Sequence, residues 1–295
     1  MQIEDSHVTN SAFIFESREG SLAGRMAMMS RVLTPNEFNA HVDRTEEFRI
    51  FGRLLSGEHP DHMLLIQAGP GMGKSALLER FYSQSEQYPR ALVDLRRLDC
   101  TPAEFLGELA SQLETTIKGL GGGAAFQRYH EQRERLFQPG DITIQASRLT
   151  RVNLTASWDM RSSEQAALQI ITDAFFSDLD GFLEEYPRII LLIDTFEKAN
   201  IEVERWVKGL FLNRIRGRHR IVVVLAGQKI PELGPASATW QLKPLELCDV
   251  REYLNRVELS LSEEQINVLY ALTEGIPLDL RMGVTRLSLR KEKGS

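Results

Sequence analysis

The chain has 295 residues, 26% of them charged and 42% hydrophobic, with a formal net charge of −6 at pH 7. That length suits one large domain or two modest ones of globular composition. No apolar run is long enough to cross a bilayer, and the first residues carry acids where a signal peptide would be apolar. The acidic balance also disfavours a nucleic-acid binder, whose phosphate contacts need a basic face.

Cys100 and Cys248 stand far apart without metal-like spacing, so reduced thiols in a cytoplasmic protein are expected. His59 and His62 lack further ligand candidates nearby and read as part of a polar loop.

Residues 1–34 form a separate leading segment. Ile3, Val8, Ala12 and Ile14 alternate in part among polar residues, which predicts one or two short exposed strands. The Met-rich stretch 20–34 follows as a linker or a short docking helix. Residues 38–55 show helical periodicity, with Phe48, Phe51, Leu54 and Leu55 on one face. Arg44 and Glu47 stand three apart near its start, which by itself is compatible with a solvated helix cap.

Met63 to Ile66 reads as a buried strand, and Leu77, Leu78 and Phe81 mark the apolar face of a helix. Between them, Ala68-Gly69-Pro70-Gly71-Met72-Gly73-Lys74-Ser75 fits the phosphate-binding loop, with Ala at the first Gly position. Gly69, Gly71 and Gly73 allow successive backbone N–H groups to point at phosphate oxygens. The N-terminus of the following helix, at Ala76, adds its partial positive charge. Lys74 is placed to reach terminal phosphates, and the Ser75 hydroxyl to bind Mg²⁺.

Ala91 to Leu95 is a second predicted strand, and Thr101-Pro102-Ala103-Glu104 a helix start with Pro in the first turn. The glycines of 119–123 read as a flexible break. Residues from there to about 162 read as an insertion outside the α/β core. It comprises a charged helix over 126–137 and a hairpin from 141–145 and 149–154, forming an interaction surface or a loop.

A helix is expected over 162–183, with Ala166, Ile170, Ala174 and Leu183 on its apolar face. Arg188 to Asp194 is a continuous apolar run ending in an acid, which suits a central parallel strand with its ligand-facing end at Asp194. Asp194 is then placed to hold magnesium beside the loop. Glu197 is a candidate to polarise an attacking water, or simply an acid complementing a helix dipole. Residues 201–215 read as a helix with Trp206 and Leu210 in the core, followed by a basic edge of Arg214, Arg216, Arg218 and Arg220. Ile221 to Leu225 is another buried strand. Gln228, just beyond it, reads as a phosphate sensor or an ordinary turn residue. Helices follow over 249–257, from Ser262 with Ile266, Leu269 and Leu272 on one face, and from Pro277 to about Leu289.

The loop, the apolar strand ending in Asp194 and the Gly275-Ile276-Pro277-Leu278 turn together resemble the STAND class of signal-transducing P-loop ATPases, relatives of the AAA+ ATPases. Val42-Asp43-Arg44-Thr45-Glu46-Glu47 is similar to that class's hydrophobic-Gly-Arg-x-x-Glu element near the adenine, with Asp43 in place of Gly. The resemblance covers about 38–290. It implies an α/β parallel-sheet core over 35–244 and a helical lid subdomain over 245–295, with ATP and Mg²⁺ as cofactors. It also implies roles near the nucleotide for Arg44 and Pro277. The function it implies is a slowly hydrolysing ATP-driven switch in signal transduction that couples nucleotide state to homo-oligomerisation or to a partner effector protein. A DNA-associated AAA+ loader is the alternative, with Arg281, Arg286, Arg290, Lys291 and Lys293 as its basic end. A small-molecule kinase is a third, but no acceptor pocket is recognisable.

Overall fold

The computed structural model describes residues 44–96, 101–136, 156–231 and 237–294. The strands expected within 1–34, the hairpin within 141–154, Asp43 and Cys100 lie outside those residues.

Five strands form one all-parallel sheet: β1 (Met63–Gln67), β2 (Arg90–Asp94), β3 (Ile189–Asp194), β4 (Ile221–Gly227) and β5 (Ser237–Gln241), in the order β2-β3-β4-β1-β5. The three central strands are almost wholly apolar because both faces of the sheet are covered. Period-two alternation divides each run between two cores. Met63, Leu65, Leu191, Ile193, Val223 and Leu225 point into one, and Leu64, Ile66, Ile190, Leu192, Val222 and Val224 into the other.

Helices α1 (Thr45–Ser56) and α2 (Lys74–Gln84) cover the second face, where Phe51 stacks on Phe81 with ring centroids 4.1 Å apart. The first face is covered by α3 (Pro102–Gly119), α4 (Gln127–Leu136), α5 (Ala156–Glu185) and the segment 201–215. That last segment is α6 (Ile201–Trp206), a π-helical stretch Val207–Phe211, and α7 (Leu212–Ile215). Thr101 caps α3 in a reciprocal capping box with Glu104, as its sequence suggests.

Several expectations are corrected. Residues 126–136 are core, not a peripheral insertion: Phe126 and Tyr129 are fully buried and pack with Phe175 of α5. The charged composition of α4 concealed this because only one of its ten residues is buried. The buried stripe of α5 is Ile171, Phe175, Phe176, Leu179 and Leu183, whereas Ala166 and Ile170 face solvent. Edge strand β5 has no counterpart in the sequence reading; Ala238 and Trp240 pack inward while Thr239 and Gln241 are exposed.

After β5 the chain builds a third, smaller core from α8 (Leu247–Arg256), α9 (Glu263–Thr273) and α10 (Pro277–Gly294). Leu245, Val250, Leu254, Ile266, Leu269, Leu280 and Val284 fill it. Leu272, expected on the apolar face of α9, is 79% exposed, while Thr273 turns inward. Among the described residues no helix is long and apolar enough to cross a membrane.

Candidate functional site

The loop between β1 and α2 takes left-handed backbone at Gly71 (φ +76°) and Gly73 (φ +85°), a conformation favourable only for glycine. Ala68 N–H donates to the Gly227 carbonyl at 3.2 Å, tying the loop to the end of β4. Lys74 opens α2 and is buried, with its Nζ donating to the carbonyls of Ala68 (2.9 Å) and Gly69 (2.8 Å). Burial pushes the Lys74 ammonium below its ordinary pKa; Glu197 and Asp194 oppose that shift and Arg96 adds to it.

Asp194 ends β3, buried, and its Oδ1 accepts the Thr195 N–H at 2.7 Å. Thr195 itself has φ +58°, an uncommon backbone for a β-branched residue. Glu197 lies in the short 3₁₀ turn that follows. Its Oε2 accepts the Gln228 backbone N–H at 2.9 Å and its Oε1 accepts the Gln228 side-chain amide at 3.1 Å. The two residues that the sequence offered separately are therefore hydrogen-bonded partners. Gly227 is what lets them meet, since a Cβ there would lie 3.0 Å from Glu197 Oε2.

Arg44 is more than a solvated cap. Its Nη1 donates to the Lys243 carbonyl (3.0 Å) and its Nη2 to the Met72 carbonyl (3.1 Å). Glu47 stands 3.7 Å away and also accepts the Trp240 indole N–H. One guanidinium thus joins the loop, α1 and the strand-to-lid linker.

The lid meets the loop directly. Leu278 N–H donates to the Gly71 carbonyl at 3.1 Å, and the Pro277 ring packs at Gly73. A Cβ on Gly71 would stand 3.1 Å from both Ile276 and Leu278. Between loop, β3 end and lid lies a cleft of about 700 Å³, within the usual range for small-molecule sites.

Arg44, Pro70, Gly71, Met72, Gly73, Lys74, Ser75 and Ala76 line this cleft, as do Asp194, Glu197, Gln228 and Pro277. Ala68 and Gly69, also expected at the site, serve it through the carbonyls that hold Lys74. Arg96, Tyr253 and Arg281 line the cleft as well, and the sequence reading gave none of them a place there. Arg96 follows a strand-end acid by two residues, which was a usable signal; Arg281 was weighed only as terminal charge.

The donor chemistry fits a hard cation. Ser75 offers a hydroxyl and Asp194 a carboxylate on the cleft wall, the oxygen ligands that Mg²⁺ accepts while retaining waters and phosphate oxygens. Among the described residues, no group of three His, Cys, Asp or Glu side chains forms a self-sufficient metal cage. His59 and His62 are engaged separately, with Asp61 and with the Ile215 carbonyl. In the basic edge, Arg214 pairs with Asp173 and Arg218 with Asp180.

No protein-family model matches the sequence, and neither does any curated protein. Solved structures do. A Walker-type ATPase of Pyrococcus abyssi is 18% identical, with a TM-score of 0.51 over 84% of this chain and 68% of its own. A STAND protein with a tetratricopeptide-repeat sensor from Pyrococcus horikoshii is 18% identical, with a TM-score of 0.43; the match covers 81% of this chain and only 29% of that one. The Aeropyrum pernix ORC1 protein, solved in complex with DNA, is 15% identical, with a TM-score of 0.45 over 81% of this chain and 58% of its own. The last two likenesses are too distant to weigh. The first supports the fold alone, which is that of a P-loop NTPase: a parallel-sheet core with a C-terminal helical lid.

Proposed function

We propose that this chain is an ATP-binding molecular switch whose helical lid reads the occupancy of the phosphate-binding loop. The observation that carries the proposal is the Leu278 N–H to Gly71 carbonyl bond, with Pro277 packed at Gly73. Because the lid rests on the loop itself, a phosphate group that reshapes the loop acts on the lid without any relay. In this reading residues 35–244 form the core and 245–295 the lid.

Lys74 exchanges its bonds to the Ala68 and Gly69 carbonyls for terminal phosphate oxygens. Ser75 and Asp194 hold Mg²⁺, which when bound neutralises phosphate charge during transfer. Glu197 orients the attacking water once it leaves Gln228. Its engagement with Gln228 supports a slow basal rate and a reset governed by rearrangement more than by chemistry. The description of the Pyrococcus abyssi neighbour as a Walker-type ATPase accords with this reading.

A lid held differently in ADP and ATP states would expose or cover an assembly surface, giving self-association or capture of an effector protein. For the DNA-associated alternative, one of the five expected basic residues, Arg281, lines the cleft.

The test is nucleotide binding followed by mass photometry with ADP, ATP and a non-hydrolysable analogue, alongside phosphate release. Lys74→Ala is expected to abolish ATP binding and any ATP-dependent change in assembly. Unchanged ATP affinity in that variant would refute the reading.

A further inference from the structure

The end of β2 sits beside the end of β3, and the parallel register makes Asp94 and Asp194 direct cross-strand partners. Like charges opposed on neighbouring strands are unfavourable unless something compensates them. Arg96 does so here. Its Nε lies 3.1 Å from Asp94 Oδ1, and its Nη2 lies 3.0 Å from Asp94 Oδ2. Its backbone N–H also donates to Asp94 Oδ1 at 3.0 Å. The same Nη2 stands 4.0 Å from Asp194 Oδ2. One nitrogen therefore faces both acids.

Exposure separates the partners. The Asp194 side chain is 6% exposed and is held by its backbone bond to Thr195, whereas the Arg96 side chain is 53% exposed. The acid is buried, and the guanidinium, held by Asp94, keeps a solvent-facing side. Arg96 also lines the cleft with Lys74 and Glu197.

We propose that Arg96 is a displaceable counter-cation for Asp194, so that Mg²⁺ must compete with the guanidinium for this carboxylate. Asp94 is the holder that keeps Arg96 within reach and sets how readily it yields. The proposal rests on the nucleotide-and-magnesium reading above and adds a regulation of that site: the divalent-cation requirement is set by a neighbouring ion pair. Arg96 is a positioning residue in this account, acting through Asp194.

The test uses the full chain and a fluorescent ATP analogue at fixed concentration, titrated with Mg²⁺ and, in a second series, with Mn²⁺ read by electron spin resonance. Arg96→Gln is expected to lower the half-saturating metal concentration about tenfold, since a like charge beside the ion is removed. Asp94→Asn releases Arg96 to close on Asp194 and is expected to raise that concentration. Opposite movement of the two variants is the signature; a purely structural role would move both the same way. An unchanged or raised metal requirement in Arg96→Gln overturns the proposal. So does loss of analogue binding by Arg96→Gln in EDTA when wild type still binds, because Arg96 would then be a phosphate ligand. If wild type binds no analogue at any metal concentration, the parent reading fails and this one with it.

Discussion

Gly275→Ala is the most direct test of the junction between core and lid. Gly275 has φ +71°, and a Cβ there would run into the Leu245 carbonyl. The Gly275 carbonyl in turn accepts the Leu245 N–H at 2.8 Å, so the two backbones touch where the chain first enters the lid. Left-handed backbone costs a non-glycine residue about 1–2 kcal/mol. Forcing a methyl group into a packed contact costs about 1–3 kcal/mol, and the threatened hydrogen bond contributes about 0.5–1.5 kcal/mol. These effects overlap, which gives a destabilisation of about 3–5 kcal/mol. At roughly 2–4 °C per kcal/mol for chains of this class, the melting temperature is expected to fall by about 10 °C. Thermal unfolding followed by circular dichroism measures the shift in melting temperature, and urea denaturation the free-energy change. Gly52→Ala, in the exposed middle of α1 with nothing within 4 Å of the added Cβ, is the control. It is expected to be neutral or to stabilise by about 0.5–1 kcal/mol. Equal midpoints for Gly275→Ala and wild type would refute the close approach of Gly275 and Leu245, and with it the described seating of the lid.

Two further outcomes follow from the same structure. Gly227→Ala places a Cβ 3.0 Å from Glu197 Oε2 and 2.9 Å from the Lys229 carbonyl; it is expected to slow phosphate release by about a hundredfold or more, the scale of a misplaced general base, while ATP affinity holds. Equal loss of both would show that Glu197 serves binding. His62 is buried and its Nδ1 has no hydrogen-bond partner among the described residues. Burial lowers its pKa, His219 and Arg188 reinforce that shift, and the Ile215 carbonyl and Asp61 only partly oppose it. The unfolded chain therefore takes up this proton first: the contribution is complete above about pH 6.5 and is lost as pH falls through the folded value, at up to about 1.4 kcal/mol per pH unit. Urea midpoints between pH 7.5 and 5 should show a shallower acid slope in His62→Leu than in wild type, and parallel slopes would contradict the assignment.

The elements that were legible in the sequence are those whose local pattern and tertiary role coincide. β1, β3 and β4 are runs of four to six apolar residues, and burial on both faces permits no other composition. The Ala68–Ser75 loop announces itself because left-handed turns need glycine. α4 hides its role because surface residues dominate its composition while Tyr129, with Phe126 just before the helix, carries the buried packing. On α5 the stripe was displaced because alanines were counted as core, although Phe175 and Phe176 supply far more area to bury.

At the site, the one-dimensional pattern named Lys74, Ser75 and Asp194 through local chemistry: a glycine loop, a helix start and an acid at a strand end. It was silent on Arg96, on the bond between Glu197 and Gln228, and on Arg44 reaching both Met72 and Lys243. Those pairings join residues up to 199 positions apart, and they depend on strand order and register, which no local window contains. Sequence alone thus determined which side chains could serve a phosphate and a cation. Only the folded sheet, by setting β2 beside β3 and β1 beside β4, decided which charges face one another and where the lid comes to rest.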